Sequence, residues 1–280
     1  MRIPKASQAA ALTPHSTSII MSITTKSYFD LTHKTAIVTG GGNGIGKGAC
    51  EILAAFGANV VVSDLKREDA KTVAAGITAN GGKAIALACN VTRDEDLENL
   101  VSKSMEAFGR IDILVNNAGG GGAGRESPFK ISLDDFKWVF GLNVFSSWRL
   151  SQLCAPEMGK NGYGSIINIT SMASVNKSPN ISAYASSKAA LNHMTANLAH
   201  DYGPMGIRVN AVGPGATKTQ ALAKVLTPEI EAKMLSGTPI KRLGEVGDIA
   251  GAILYFAAPV SEWVSGQVLF VNGGGVQTLD

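Results

Sequence analysis

The fold is decided by Thr35-Ala36-Ile37-Val38-Thr39-Gly40-Gly41-Gly42-Asn43-Gly44-Ile45-Gly46, an apolar run that passes into a turn dense in glycine. A helical pattern follows from about Lys47. Missing side chains let a backbone turn tightly and let a pyrophosphate approach it, and the free N–H groups at the start of the next helix favour negative charge. Strand, glycine turn and helix in that order fit the phosphate site of a dinucleotide-binding fold. A turn of this composition is, by itself, equally an ordinary tight turn. Gly41 to Lys47 also comes near to a nucleoside-triphosphatase loop, but the next residue is Gly48, so the hydroxyl that would hold magnesium is missing.

Outward from this turn, apolar runs recur at Asn59 to Val62, Ala84 to Ala88, Ile111 to Val115, Ser165 to Ile169, Ile207 to Val212 and Gln267 to Val271. Helical patterns such as Glu68 to Ala79, Asp94 to Phe108 and Ser182 to Tyr202 separate them. Runs that are continuous and do not alternate with polar residues suit strands covered on both faces. The expectation is an α/β chain: one Rossmann-type, doubly wound parallel sheet of about seven strands, with helices on both faces and right-handed crossovers. No repeat of fixed period and no Pro/Ser linker divides the chain, so residues 30–280 read as a single dinucleotide-binding catalytic domain.

The 280 residues are 45% hydrophobic and 17% charged, enough for one sizeable core. The net charge is +3, with Lys and Arg spread along the chain, which argues against a nucleic-acid or anionic-membrane surface. No stretch approaches ~20 consecutive apolar residues, so a soluble, cytoplasmic protein without a membrane span is expected. Cys50, Cys89 and Cys154 are isolated and no histidine stands at metal-ligand spacing, so neither a disulfide framework nor a metal is expected. Residues 1–29 differ in composition, rich in Ser and Thr with no acid before Asp30. They read as a disordered extension or as an incorrectly assigned start, with Met21 as the true one, in preference to a transit peptide.

The second strand ends at Ser63-Asp64, followed by Leu65, about twenty residues beyond the glycines. A carboxylate there can accept hydrogen bonds from both hydroxyls of an adenosine ribose and would repel a 2′-phosphate, which favours NAD over NADP. Asn43 in the turn is not a basic phosphate anchor, whereas Lys66 and Arg67 lie close by, and Asp64 could equally be a helix cap. Tyr184 and Lys188 stand four apart in Tyr-Ala-Ser-Ser-Lys, on one helix face. A phenol is ordinarily a poor general base, and a close cation favours its anion. Such a pair also occurs on solvated helix faces. Ser171, thirteen residues earlier, follows the run Ile166 to Thr170 and so falls at the carboxyl end of a strand, where open α/β sheets bind ligands.

Taken with Gly40, Gly44 and Gly46 at their spacing, Asn116-Asn117-Ala118-Gly119 after the fourth strand, Asn143 in a long helix, and Pro214-Gly215 with Thr217 and Thr219 after the sixth, this set resembles the short-chain dehydrogenase/reductase family from about Leu31 to Asp280. The resemblance implies that Tyr184 exchanges a proton with the substrate oxygen, that Lys188 lowers the phenol's pKa and binds the nicotinamide ribose, that Ser171 orients the oxygen and that Asn143 holds a relay water. It implies cofactor contacts from Gly40, Asn43, Gly44, Ile45, Gly46, Asp64, Leu65, Asn117, Ala118 and Gly119, and from Pro214, Gly215, Thr217 and Thr219 closing over the nicotinamide. Asn90-Val91 departs from the family's Asp and aliphatic residue, and the amide carbonyl would meet the adenine amino group.

Finer stretches, among them Gly119 to Gly122, Ala155-Pro156-Glu157-Met158, Thr170-Ser171-Met172-Ala173, Leu226 to Glu231 and Gly273-Gly274-Gly275-Val276-Gln277, resemble the bacterial NAD-dependent 7α-hydroxysteroid dehydrogenases. This resemblance implies a bile-acid or steroid substrate, with Gly121 and Asn176 as contacts beside Ser171 and Tyr184, and a homotetramer. The loop from Ala123 to Pro128, with Arg125 and Glu126, is longer than that subgroup's, so a 3-oxoacyl-thioester or sugar substrate stays open. The apolar stretch Leu222 to Met234 suits a lid. A non-catalytic dinucleotide sensor is the alternative of another class, and it would have no need of a proton relay.

Overall fold

In the computed structural model, which describes residues 28–122, 126–223 and 226–275, strand and helix alternate from β1 (Thr35–Thr39) onward. There follow α1 (Gly44–Ala55), β2 (Asn59–Asp64), α2 (Arg67–Ala79), β3 (Lys83–Ala88), α3 (Asp94–Phe108) and β4 (Ile113–Asn116). The second half comprises α4 (Leu133–Phe140), α5 (Ser146–Lys160), β5 (Gly164–Ile169), α6 (Ser182–Tyr202), β6 (Ile207–Pro214), α7 (Gln220–Ala223), α8 (Pro228–Ser236), α9 (Val246–Ala257) and β7 (Val268–Val271). All seven expected strands are present, their limits displaced by a residue or two. The first helix begins earlier than Lys47, at Gly44, so Gly44 and Gly46 lie within its first turn.

Every strand pairs in parallel, in the order β3-β2-β1-β4-β5-β6-β7. This is a Rossmann-like sheet. The chain reverses its direction of growth between β1 and β4, and the loops leaving those two strands diverge and open a crevice. The central strands β1, β4, β5 and β6 are buried at every position, as their continuous apolar runs imply, whereas the edge strands β3 and β7 are only partly covered.

Successive side chains of β1 go to opposite faces. Ala36 and Val38 join Leu53, Val73, Ile77, Ile253 and Phe256 from α1, α2 and α9, while Ile37 joins Leu97, Leu100, Leu150, Met158 and Leu198 from α3, α5 and α6. Gly48 is explained by this packing. A β-carbon there would lie 2.3 Å from Cγ1 of Val246, so the position that a triphosphatase loop reserves for a hydroxyl is here the contact point of α1 and α9.

One sequence expectation is corrected. Asn143 does not lie in an unbroken long helix: a π-helical turn, Gly141–Phe145, separates α4 from α5. Tyr28 and Phe29, assigned to the extension, pack on the domain, with Val260 N donating to the Tyr28 carbonyl at 3.0 Å and Phe29 meeting the Phe56 ring edgewise. Residues 1–27, Arg125, Val276 and Gln277 lie outside the described residues. Among the described residues, no helix is long and apolar enough to cross a membrane.

At the opposite end of the sheet from the crevice, Asp112 is fully buried. Its carboxylate accepts from Thr35 N at 2.9 Å and from Arg110 Nε and Nη2 at 2.7 and 2.6 Å. Replacing it with alanine orphans a buried N–H at the start of β1. We expect Asp112→Ala to lose roughly 2–3 kcal/mol of stability, read as a lower urea midpoint at unchanged slope.

Candidate active site

A cleft of about 780 Å³ opens at the carboxyl ends of β1, β4, β5 and β6. One wall is the β1–α1 turn, with Gly40, Asn43, Gly44 and Ile45, and Asp64 at the end of β2. Asn117, Ala118 and Gly119 to Gly121 follow from β4, Ser171, Tyr184 and Lys188 from β5 and α6, and Pro214, Gly215, Thr217 and Thr219 from beyond β6. Leu222 and Met234 also line it.

The glycine end of the cleft is built on close backbone approach. A β-carbon on Gly46 would fall 2.1 Å from the Gly40 carbonyl oxygen and 2.5 Å from Asn117 Nδ2. Gly46 thus stands behind the cleft wall and brings the N-terminus of α1 up to it. Asn117 Nδ2 donates to the carbonyls of Thr39 and Gly40 at 2.9 and 3.1 Å, and its backbone N–H donates to Thr39 Oγ1 at 3.1 Å. Asn117 therefore holds the loops after β1 and β4 together. Ala118 N also donates to Thr39 Oγ1, at 3.0 Å. Across the mouth, Thr219 lies over Gly44, its Cγ2 3.6 Å from where a β-carbon would stand.

Asp64 is buried, and each of its oxygens has a backbone donor: Gly42 N to Oδ2 at 2.9 Å and Lys66 N to Oδ1 at 3.0 Å. It braces the glycine turn and caps no helix, since α2 begins after Lys66 without a side-chain cap. Each oxygen keeps lone-pair capacity toward the cleft. Three cofactor candidates are not brought to it. Leu65 is exposed outside the lining. The Asn90 carbonyl accepts from Thr92 N and Oγ1 at 3.1 and 2.8 Å, which makes Asn90 a turn former, and Val91 is buried in the core.

At the other end, α6 carries Tyr184 and Lys188 with the ammonium 5.9 Å from the ring centroid. Lys188 is buried, and its Nζ donates to the Ile169 carbonyl at 2.8 Å; Thr170 Oγ1 donates to the Lys188 carbonyl at 3.0 Å. The lysine is thus fixed to the end of β5 at both ends of its residue. Burial pulls its pKa down to about 8. Ser171 Oγ accepts from Ala173 N at 3.1 Å, leaving its own hydrogen for a donor's part.

Asn143 is buried on the π-helical turn. Its Oδ1 accepts from Gly120 N and its Nδ2 donates to the Gly120 carbonyl, both at 3.0 Å, and Nδ2 donates also to Ser187 Oγ at 3.0 Å. The side chain clamps the glycine loop. Gly119 has no room for a side chain, because a β-carbon would meet Asn143 Oδ1 at 2.7 Å and Lys188 Nζ at 3.2 Å. Asn176 is outside the lining, its backbone N–H bonded to the Met172 carbonyl at 2.9 Å and its Oδ1 buried without a partner among the described residues.

Sequence reasoning missed Asn192, one turn beyond Lys188. Its Nδ2 donates to Ser174 Oγ at 2.8 Å, and Ser174 Oγ donates to the Ser171 carbonyl at 2.6 Å. Tyr184, Lys188 and Asn192 form a stripe at four-residue spacing that holds the turn after β5, and the spacing was the available signal.

Two outcomes follow. Gly46→Ala should abolish binding of the dinucleotide expected from the sequence, measured by fluorescence titration with NADH, because the new methyl must push α1 away from the turn. The second concerns Lys188, whose charged form burial disfavours. Below pH 8 folded and unfolded chains both hold the proton and the penalty is complete; as pH rises toward 10.5 the unfolded chain holds more protons and the penalty disappears. The unfolding free energy of the wild type, compared with Lys188→Met, should therefore gain up to about 3 kcal/mol across that window in urea titrations at successive pH values.

The family described as enoyl-(acyl carrier protein) reductase matches residues 40–275. The chain is 51% identical over 247 residues, 88% of its length and 96% of the other's, to a 7α-hydroxysteroid dehydrogenase of Escherichia coli K12. A solved 7α-hydroxysteroid dehydrogenase in complex with NADH and 7-oxo glycochenodeoxycholic acid superposes with a TM-score of 0.86 at 50% identity, covering 90% of this chain and 98% of that one. A short-chain type dehydrogenase/reductase from Mycobacterium marinum gives a TM-score of 0.83 at 31% identity over 89% of this chain and 98% of its own. The chain is thus similar along nearly its whole length to enzymes of one kind, and it belongs to the short-chain dehydrogenase/reductase family of oxidoreductases.

Proposed function

We propose that this oxidoreductase uses NAD to oxidise the 7α-hydroxyl of bile acids and related steroids to the 7-ketone. The observation that carries the reading is the 51% identity, over 88% of the chain, with an enzyme named for that reaction. The cleft is consistent with it. Ile169, Met172, Leu222 and Met234 line it beside glycines without side chains, a wall suited to a rigid apolar ring system.

The cradle at Gly46 and the braced carboxylate of Asp64 fit a dinucleotide. The glycine turn and the start of α1 would hold its pyrophosphate, Asp64 its adenosine ribose, and Lys188 the ribose at the other end. Asp64 would disfavour a 2′-phosphate, hence NAD over NADP. Bound NAD supplies the acceptor for the hydrogen and electron pair that leave the carbinol carbon. Ser171 donates its free hydroxyl hydrogen to the substrate oxygen and so orients it. Tyr184 takes the hydroxyl proton, and in reduction it returns that proton to the ketone oxygen. The Lys188 ammonium stands 5.9 Å from the Tyr184 ring centroid. Its hold on the Ile169 carbonyl keeps the charge in place, so no reorganisation is needed when charge develops on the oxygen.

The enzyme would act as a homotetramer in the reducing cytoplasm. Trp148 and the fully exposed Trp263 offer apolar area for subunit contact, and Cys50, Cys89 and Cys154 are free and buried.

Purified protein with cholic acid should reduce NAD at least tenfold faster than NADP, and Tyr184→Phe should lower turnover by at least 100-fold while NADH still binds. Turnover of a 3-oxoacyl thioester or a sugar, with none of cholic acid, would replace the substrate and keep the chemistry. Undiminished turnover in Tyr184→Phe would overturn the mechanism.

A further inference from the structure

We infer that Ser187 is a positioning residue, setting the glycine loop after β4 against the turn that bears Tyr184; this rests on the role proposed above for Tyr184. Ser187 is fully buried, directly before Lys188. A serine inside a helix commonly bonds back to a carbonyl three or four residues earlier and does nothing else. Ser187 does make that bond, its Oγ donating to the Tyr184 carbonyl at 2.7 Å. The same oxygen accepts from Asn143 Nδ2 at 3.0 Å, and Asn143 belongs to a different segment, the π-helical turn.

A hydroxyl has one hydrogen, so the direction of the chain is fixed. Ser187 gives its hydrogen to Tyr184 and receives one from Asn143, and the amide of Asn143 is spent on Gly120 on its other side. Tyr184, Ser187, Asn143 and Gly120 thus form one directional series from the tyrosine's backbone to the loop that lines the cleft. Both Nδ2 hydrogens of Asn143 are used, and without Ser187 Oγ one would be buried unpaired, which a folded chain avoids by moving the group. Asn143 can move only by releasing Gly120. A released Gly120 frees the cleft wall on the side opposite Tyr184, and misplacement of this kind costs turnover more than cofactor affinity.

The test compares wild type, Ser187→Ala, Ser187→Cys, Asn143→Ala and the double variant Ser187→Ala/Asn143→Ala. Hydrogen exchange at the Gly120 amide should quicken about tenfold or more in Ser187→Ala, with the amides of β1 and β4 unchanged. With NAD and cholic acid, kcat should fall on the order of tenfold while the dissociation constant for NADH stays within about twofold. Cysteine, with its weak donor and acceptor, should recover part of the loss, and the double variant should be no slower than Asn143→Ala alone. Unchanged exchange at Gly120 overturns the inference, as does an unchanged kcat or losses that add. A wild type inert toward cholic acid would strike the steroid reading only, because the exchange measurement needs no substrate.

Discussion

Gly46 lies so close to the Gly40 carbonyl that no β-carbon fits between them, and the amide of Asn117 occupies the remaining space. This approach sets the start of α1 against the end of β1 and joins both to the loop after β4, at the point where the sheet reverses its order of growth. The crevice exists because the two loops part there, and its glycine end is open because the helix start is bare backbone. A side chain at Gly46 would move α1, and with it the α1–α9 contact at Gly48 that covers one face of the sheet.

The second dependence is electrostatic. A lysine buried beside the cleft is an unfavourable element of the fold, and its position is secured by the Ile169 carbonyl at its ammonium and Thr170 at its backbone. The same burial removes competing water, so the charge is less screened than it would be in solvent. Stability is thereby exchanged for a cation held at a fixed place beside the cleft.

Between these two ends the π-helical turn does a third task. One residue more per turn directs Asn143 inward from between α4 and α5, where its amide meets both backbone groups of Gly120. Such insertions are found mostly at functional sites. The buried contacts among Asn143, Ser187 and Gly119 leave the loop no freedom to take a side chain at its tightest point.

The amino-acid order alone determined the alternation of strand and helix, the parallel sheet, the glycine turn and the Tyr184–Lys188 spacing. Each of these is local: it depends on the burial of a run, on the absence of a β-carbon or on the 3.6-residue period. The order of residues could not distinguish the long helix expected around Asn143 from a helix broken by a π turn, since both share one hydrophobic pattern. Neither could it show that Asn90 spends its side-chain Oδ1 on Thr92, that Leu65 is exposed outside the cleft lining, or that Asn192 holds the Ser171 turn. These were decided by the tertiary structure, because a side-chain amide or hydroxyl acts only through the partner brought to it. Most of the decisive partners, such as Gly120 for Asn143 and Ser174 for Asn192, come from parts of the chain well apart in sequence.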